Sequence, residues 1–223
     1  MIKEKRHILG VSGGKDSAAL AIYLKDKIPN MEYIFCDTGK ELKEVYEYIN
    51  VMEAYLGQPI KRLPKELDGT RNDFEHILKL NGGYLPSPMA RWCTKDMKLD
   101  PFEKYMAGDA VINYVGIRYD ERDRKGYMTL DENVETVFPF VEDKIDYNGV
   151  IKILEDSGVG IPTYYDWRSR SGCYFCFYQR PSEWIGLAER HPDLYIESMK
   201  YEKINVIDNL GHKKTLQFTE VYE

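Results

Sequence analysis

Apolar and polar positions follow two periods along this chain. HILGV (7–11) is a short apolar run that reads as a buried strand. In 17–27, Ala18, Leu20, Ala21 and Leu24 fall on one face of a helix, which Pro29 and Asn30 end. EYIFC (32–36) predicts a second strand. DTGKE then turns into a helix over 41–56 that Gly57 stops, and QPIKRL (58–63) predicts a third strand. The stretch 68–92 is less regular, with a helix at FEHILKL (74–80) and a loop at NGGYLPSPMARW. A helix over 97–106 and a strand over 110–117 follow, ending in the charged turn RYDERDR. After Pro139 the alternation fades. A helix is expected over 148–157 and an aromatic, basic loop over 162–171. Helices are expected at PSEWIGLAERH and PDLYIESMKYEKIN, each opened by a proline.

Strands alternating with helices predict the α/β class, a parallel sheet with helices on both faces. The expected organisation is an α/β core over 1–140. A C-terminal helical appendage, 141–223, would be packed on it. The length of 223 residues suits that plan. With 30% charged residues and a net charge of −6, the chain is neither disordered nor a nucleic-acid binder by bulk charge, though local basic clusters stay open. No signal peptide and no run near the roughly 18 apolar residues of a membrane helix is seen, so a cytoplasmic protein with no membrane contact is expected. In a reducing compartment its four cysteines, Cys36, Cys93, Cys173 and Cys176, would not be disulfides. The CxxC pair suggests metal, cluster or redox chemistry.

VSGGKDS (11–17) concentrates backbone freedom and polar groups between a strand and a helix. Gly13 and Gly14 can take conformations that side chains forbid, so their amides can face one ligand. The helix adds free N–H groups and the positive end of its dipole. Lys15 adds charge, and Ser12 and Ser17 add hydroxyls. Asp16 suits such a place if it handles a magnesium ion. The spacing is neither the Walker pattern nor GxGxxG. It reads as a pyrophosphate cradle, or more simply as a glycine-rich turn with a Ser/Asp cap.

SGGKDS resembles the PP-loop signature of ATP pyrophosphatases and of the phosphoadenosine-phosphosulfate (PAPS) reductase group. The resemblance implies nucleotide-phosphate binding by Ser12, Gly13, Gly14, Lys15, Asp16 and Ser17. FCDTGKE resembles the second-strand element beside the nucleotide, implying roles for Asp37, Thr38 and Gly39. GIRYDERDR resembles a later element whose Arg118 and Arg124 meet the anion after Gly116, with Asp120 ordering the loop. A solvated, salt-bridged turn is the plainer reading of that stretch. RSGCYFCFYQRPSEW resembles a subgroup that includes the DNA phosphorothioation ATPases. Lys15, Asp16 and Arg118 are the implied catalytic residues.

In iron–sulfur members of this group a cysteine pair stands upstream of the CxxC, four thiolates in all. Here Trp92 replaces the pair's first member, so three ligands carry over, Cys93, Cys173 and Cys176. The resemblance leaves three readings: a [4Fe–4S] cluster on three cysteines, a zinc ion with a further ligand, or buried thiols acting as small hydrophobes. Cys36, His76 and His191 are not expected to be ligands. Arg168 and Arg170 with Tyr164, Tyr165 and Trp167 read either as an anion and base-stacking surface or as aromatics packing the appendage down.

The residues after Cys176 hold no cysteine, which argues against the tail-thiol mechanism of assimilatory PAPS reductases. The resemblance then implies binding of ATP with Mg²⁺ and adenylylation of an acceptor with pyrophosphate release, for sulfur transfer. The acceptor could be a nucleic acid, and a sulfur-donor or complex partner protein is a further expectation, as is a homo-oligomer. The alternatives are a PAPS-using reductase or sulfotransferase, and a nucleotide-binding subunit of a modification or defence complex.

Overall fold

The computed structural model describes residues 5–63, 73–124, 131–207 and 213–217, the last two strands by backbone alone. Residues 68–72 of the irregular stretch and 218–223 of the appendage lie outside the described residues.

The elements run β1 (Arg6–Gly10), α1 (Lys15–Leu24), β2 (Met31–Cys36), α2 (Lys43–Leu56), β3 (Lys61–Leu63) and α3 (Phe74–Leu80). Next come α4 (Trp92–Thr94), a π-helical stretch Lys95–Leu99 and α5 (Asp100–Met106), end to end. Then follow β4 (Val111–Tyr114), β5 (Val134–Val137), α6 (Pro139–Glu142), α7 (Tyr147–Asp156), α8 (Pro181–Arg190), α9 (Pro192–Met199), β6 (Lys203–Ile207) and β7 (Lys213–Gln217). The five-stranded sheet has the order β3-β2-β1-β4-β5 and every neighbouring pair is parallel.

Successive strand residues point to opposite faces. Leu9, Tyr33 and Phe35 therefore join α1, α2 and α7 in one core, while Ile8 and Ile34 meet Met106 and Phe102 of α5 on the other side. The main core is continuous from Leu9 of β1 through Val150 and Leu154 of α7 to Leu187 of α8. Gly57 ends α2 in the left-handed region at φ +72°, as the sequence predicts. Asp73 and Asp146 cap α3 and α7 by accepting from the backbone N–H of His76 and Gly149.

Two expectations need correction. VETV (134–137) pairs with β4 as a fifth strand, though the alternation gave no sign of it. Helix α9 stops at Met199, and Lys203–Ile207 pairs antiparallel with Lys213–Gln217, so the C-terminal region holds a two-stranded ribbon as well as helices. KINVI carries three β-branched residues in five, which favour an extended chain over another helical turn.

Chain order places the site. From β1 the chain moves outward on one side to β2 and β3, then crosses to the other side of β1 to form β4. The C-terminal ends of β1 and β4 lie side by side at this switch, where open α/β sheets bind ligands.

Candidate nucleotide cleft and cysteine cavity

A cleft of about 1020 Å³ opens at that switch point. Ser12, Gly14, Lys15, Asp16 and Ser17 line it from the loop after β1. Gly116, Arg118 and Arg124 line it from the loop after β4. Gly13 sits at φ +72°, and a Cβ on it would stand 2.7 Å from Val45 Cγ1. Gly116 lets its loop approach α1, since a Cβ there would lie 3.2 Å from the Asp16 carbonyl oxygen. No side chain caps the start of α1 at Gly14. Ser17 Oγ accepts from the Ser12 N–H at 3.1 Å, so the loop is braced internally.

Asp16 is held between two cations. Lys15 Nζ donates to Asp16 Oδ2 at 2.9 Å and Arg118 Nη1 donates to Asp16 Oδ1 at 2.9 Å. Arg118 is buried, and its Nη2 also meets Asp120 Oδ2 at 3.0 Å and Glu121 Oε1 at 3.1 Å. Hydrogen bonds that it donates to Asp120 first, and to Asp16 after the opposing cost of burial, raise its pKa above the ordinary guanidinium value. Arg118 in turn lowers the Asp120 carboxyl below its usual range. Arg124 is exposed at the rim, 3.5 Å from Glu121. RYDERDR is thus both a salt-bridged turn and a wall of the cleft.

The loop after β2 faces elsewhere. Asp37 Oδ1 accepts from Tyr46 Oη at 2.7 Å and from the Gly39 N–H at 2.9 Å. Thr38 is buried, donates to Glu41 Oε1 at 3.1 Å, and lies 3.3 Å from Cys173 Sγ. Asp37, Thr38 and Gly39 are not among the residues lining the cleft.

Cys93, Cys173 and Cys176 line a second cavity, of about 580 Å³, walled mainly by aromatic side chains such as Phe74, Phe175, Trp184 and Tyr201. Desolvation is the main cause that raises the Cys173 thiol to about 12, and it raises Cys93 as well. Cations stand close by. Arg170 Nη2 donates to Cys176 Sγ at 3.0 Å, and Arg168 Nη2 to the Cys173 carbonyl at 2.6 Å. Burial works against the charge of Lys98, but Glu41, Cys173, Cys36 and Cys176 together raise its pKa above the ordinary value. Arg168 is 2% exposed, and among the described residues its Nε and Nη1 have no hydrogen-bond partner. The donor set fits a thiolate-ligated centre, with three thiols on one cavity and cations to balance their charge. Among the described residues, no three His, Cys, Asp or Glu side chains converge closely enough to close around one ion.

Sequence reasoning missed Arg91, Tyr147, Ser169, Ser171 and Arg180 of the cleft, and gave Tyr164, Tyr165 and Arg170 only in one of two readings of their loop. Tyr165 Oη accepts from the Lys15 N–H at 3.3 Å, and buried Tyr164 Oη donates to the Gly13 carbonyl at 2.7 Å. The rings of Tyr147 and Tyr165 lie 5.4 and 5.3 Å from Lys15 Nζ, and Tyr147 also lies 5.4 Å from the Arg118 guanidinium. Arg91, Ser169, Ser171 and Arg180 complete the walls. In the aromatic, basic loop, Tyr164 and Arg168 are packed inside, while Tyr165 and Arg170 reach the cleft. The aromatic–basic composition was a usable signal, but the split between inward and outward residues was not readable.

The phosphoadenosine phosphosulfate reductase domain family matches residues 6–176, and the chain belongs to that family. It is 26% identical over 218 residues to an uncharacterised protein of Methanocaldococcus jannaschii, covering 87% of this chain and 47% of that one. A second uncharacterised protein of that organism is covered to 44%, so the chain spans about half the length of these curated relatives. It is 30% identical over 135 residues to adenosine 5′-phosphosulfate reductase 2 of Bacillus subtilis, covering 58% of this chain and 54% of that one. The fold is similar to that of phosphoadenylyl-sulfate (PAPS) reductase from Candida auris, solved as a phosphate complex. The TM-score is 0.58 at 14% identity, over 78% of this chain and 84% of that one. Among the described residues, no helix is long and apolar enough to cross a membrane.

Proposed function

We propose that the cleft binds ATP with Mg²⁺ and that the protein activates an acceptor by adenylylation, releasing pyrophosphate, for sulfur transfer. The observation that carries this reading is the Lys15–Asp16–Arg118 triad, set where α1 begins and β4 ends. Lys15, Arg118 and the positive end of the α1 dipole supply fixed positive charge for a triphosphate. Magnesium enters with the nucleotide, as part of the substrate. The acceptor's oxygen attacks the α-phosphorus, and the bond to the bridging oxygen of pyrophosphate breaks. A sulfur nucleophile then displaces AMP. The protein's part is positioning and charge stabilisation. Cys93, Cys173 and Cys176 would hold a [4Fe–4S] cluster or a zinc ion, and such a centre would supply a place to present sulfur.

A second reading, a PAPS-using reductase or sulfotransferase, is favoured by the family match and by the relative that acts on adenosine 5′-phosphosulfate. Calorimetric titration with Mg-ATP, PAPS and 3′,5′-ADP separates the two. The expected result is ATP binding, with 1:1 formation of AMP and pyrophosphate that Asp16→Ala abolishes. Arg118→Gln lowers kcat/KM by about 100-fold, the scale of losing one anion-stabilising donor. Binding of PAPS and 3′,5′-ADP without ATP would favour the second reading. Binding of none of the three would sink both.

A further inference from the structure

The cleft carries charge beyond the triad. Arg91, Arg170 and Arg180 line it together with the hydroxyls of Thr94, Ser169 and Ser171. Among the described residues, no carboxylate lies within ion-pair distance of any of these three guanidinium groups. Arg91 Nη2 donates to Thr94 Oγ1 at 3.4 Å, and Arg170 Nη2 donates to the Cys176 sulfur. Both guanidiniums also stand against one ring, Tyr178, at 5.4 and 5.2 Å from its centroid. That ring is 42% exposed and packs on Phe177 with centroids 4.4 Å apart.

Two like charges beside one tyrosine, in a chain of net charge −6, call for an anion that neither Asp16 nor the loop after β4 supplies. Guanidinium groups and hydroxyls suit a phosphodiester. A partly exposed tyrosine beside them suits a base, and the two together are the parts of a single-strand binding surface. The side-chain bond from Arg170 to Cys176 sets this wall between the nucleotide cleft and the cysteine cavity.

We propose that Arg91, Arg170, Arg180 and Tyr178 form an acceptor subsite for single-stranded nucleic acid, the arginines on phosphates and the tyrosine under a base. The subsite rests on the reading that the nucleotide occupies the Lys15–Arg118 end of the same cleft. A strand held there has its phosphate between the nucleotide and the thiols, so adenylylation and sulfur delivery address one bound acceptor.

The test is fluorescence anisotropy with labelled single-stranded oligothymidine and oligouridine of roughly 12 nucleotides. ATP binding is followed separately by calorimetry. Wild-type protein binds the strand with an affinity that falls steeply with salt. The combined Arg91→Gln, Arg170→Gln, Arg180→Gln variant loses about 100-fold or more at low salt, and its log–log salt slope shrinks by about 2, the share of three single-strand phosphate contacts. The corresponding Arg→Lys variant keeps the slope, which separates charge from misfolding. Tyr178→Ala weakens binding about tenfold with the slope unchanged. ATP affinity is retained in all three variants. Absent strand binding in the wild type, or undiminished binding in the Gln variant, overturns the proposal. Parallel loss of ATP binding also overturns it, because the arginines then belong to the nucleotide. A wild type that binds the strand but neither ATP nor PAPS sinks the nucleotide reading and with it the acceptor role, leaving a strand-binding surface only.

Discussion

Asp16 would be an odd residue in a phosphate cradle if it stood alone. Between Lys15 and Arg118 it holds two cations at a fixed spacing, and a nucleotide's own negative charge can then be met without rearrangement. The thiols differ from one another for equally local reasons. Cys36 is not in the cysteine cavity. It donates weakly to the Lys98 carbonyl at 3.5 Å, and desolvation raises its thiol to about 11. Reactivity follows the thiolate, so Cys36 should label slowly with iodoacetamide at pH 8, and its rate should climb only toward pH 11. The sign for stability follows. A thiol whose folded pKa lies above its unfolded value contributes fully below that unfolded value, and the contribution is lost as pH rises through the folded one. Peptide-mapped labelling against pH reads this out, and half-labelling of Cys36 within the dead time at pH 8 would refute it.

Elements set what the residues can do. The loop between β1 and α1 works because Gly13 takes φ +72° with no Cβ, 2.7 Å from where Val45 of α2 already packs. Gly13→Ala should cost about 1–2 kcal/mol from the left-handed backbone alone, with the clash added to it. Val45→Ala should recover the clash but not the backbone term. Urea denaturation of the two single variants and the double variant measures both. A double variant as stable as Val45→Ala alone would show that φ does not matter there. Much of this layout was legible in advance. Strands β1, β2 and β4, helices α1, α2, α3, α7 and α8, and the strand-loop-helix setting of SGGKDS all follow from period and glycine placement. Strand β5 was not legible, because VETV is four residues with a central exposed Glu135, and its pairing with β4 is a tertiary fact. The same holds for the cleft. That Asp16 meets Arg118, 102 residues away, follows from strand order, which no local pattern encodes. That Asp37 turns to Tyr46 and Thr38 to Cys173 depends on side-chain packing alone.

At the scale of the whole molecule, the C-terminal region lines the cleft together with the loops after β1 and β4. Tyr164 grips the carbonyl of Gly13, and the Tyr174 N–H donates to the Lys40 carbonyl at 2.9 Å. Lys40 in turn reaches Glu75 of α3 and Glu197 of α9, both at 3.1 Å. Val150 and Leu154 of α7 and Leu187 of α8 belong to the same apolar cluster as Leu9 of β1 and Leu20 of α1. A core shared in this way cannot be divided without exposing Phe140, Val150, Leu154 and Tyr164 to water, at about 1.5–3 kcal/mol for each large side chain. The 223-residue chain should therefore unfold in one transition in urea. Far-UV circular dichroism follows the whole chain, while the fluorescence of Trp167 and Trp184, read in a Trp92→Phe variant, follows the C-terminal region. Coincident curves are the expected outcome. A tryptophan transition well before the loss of helix would mean that the C-terminal region is a separate folding unit. The cleft would then be assembled from two bodies, and the walls given by Tyr165, Arg170 and Arg180 could open without unfolding the sheet.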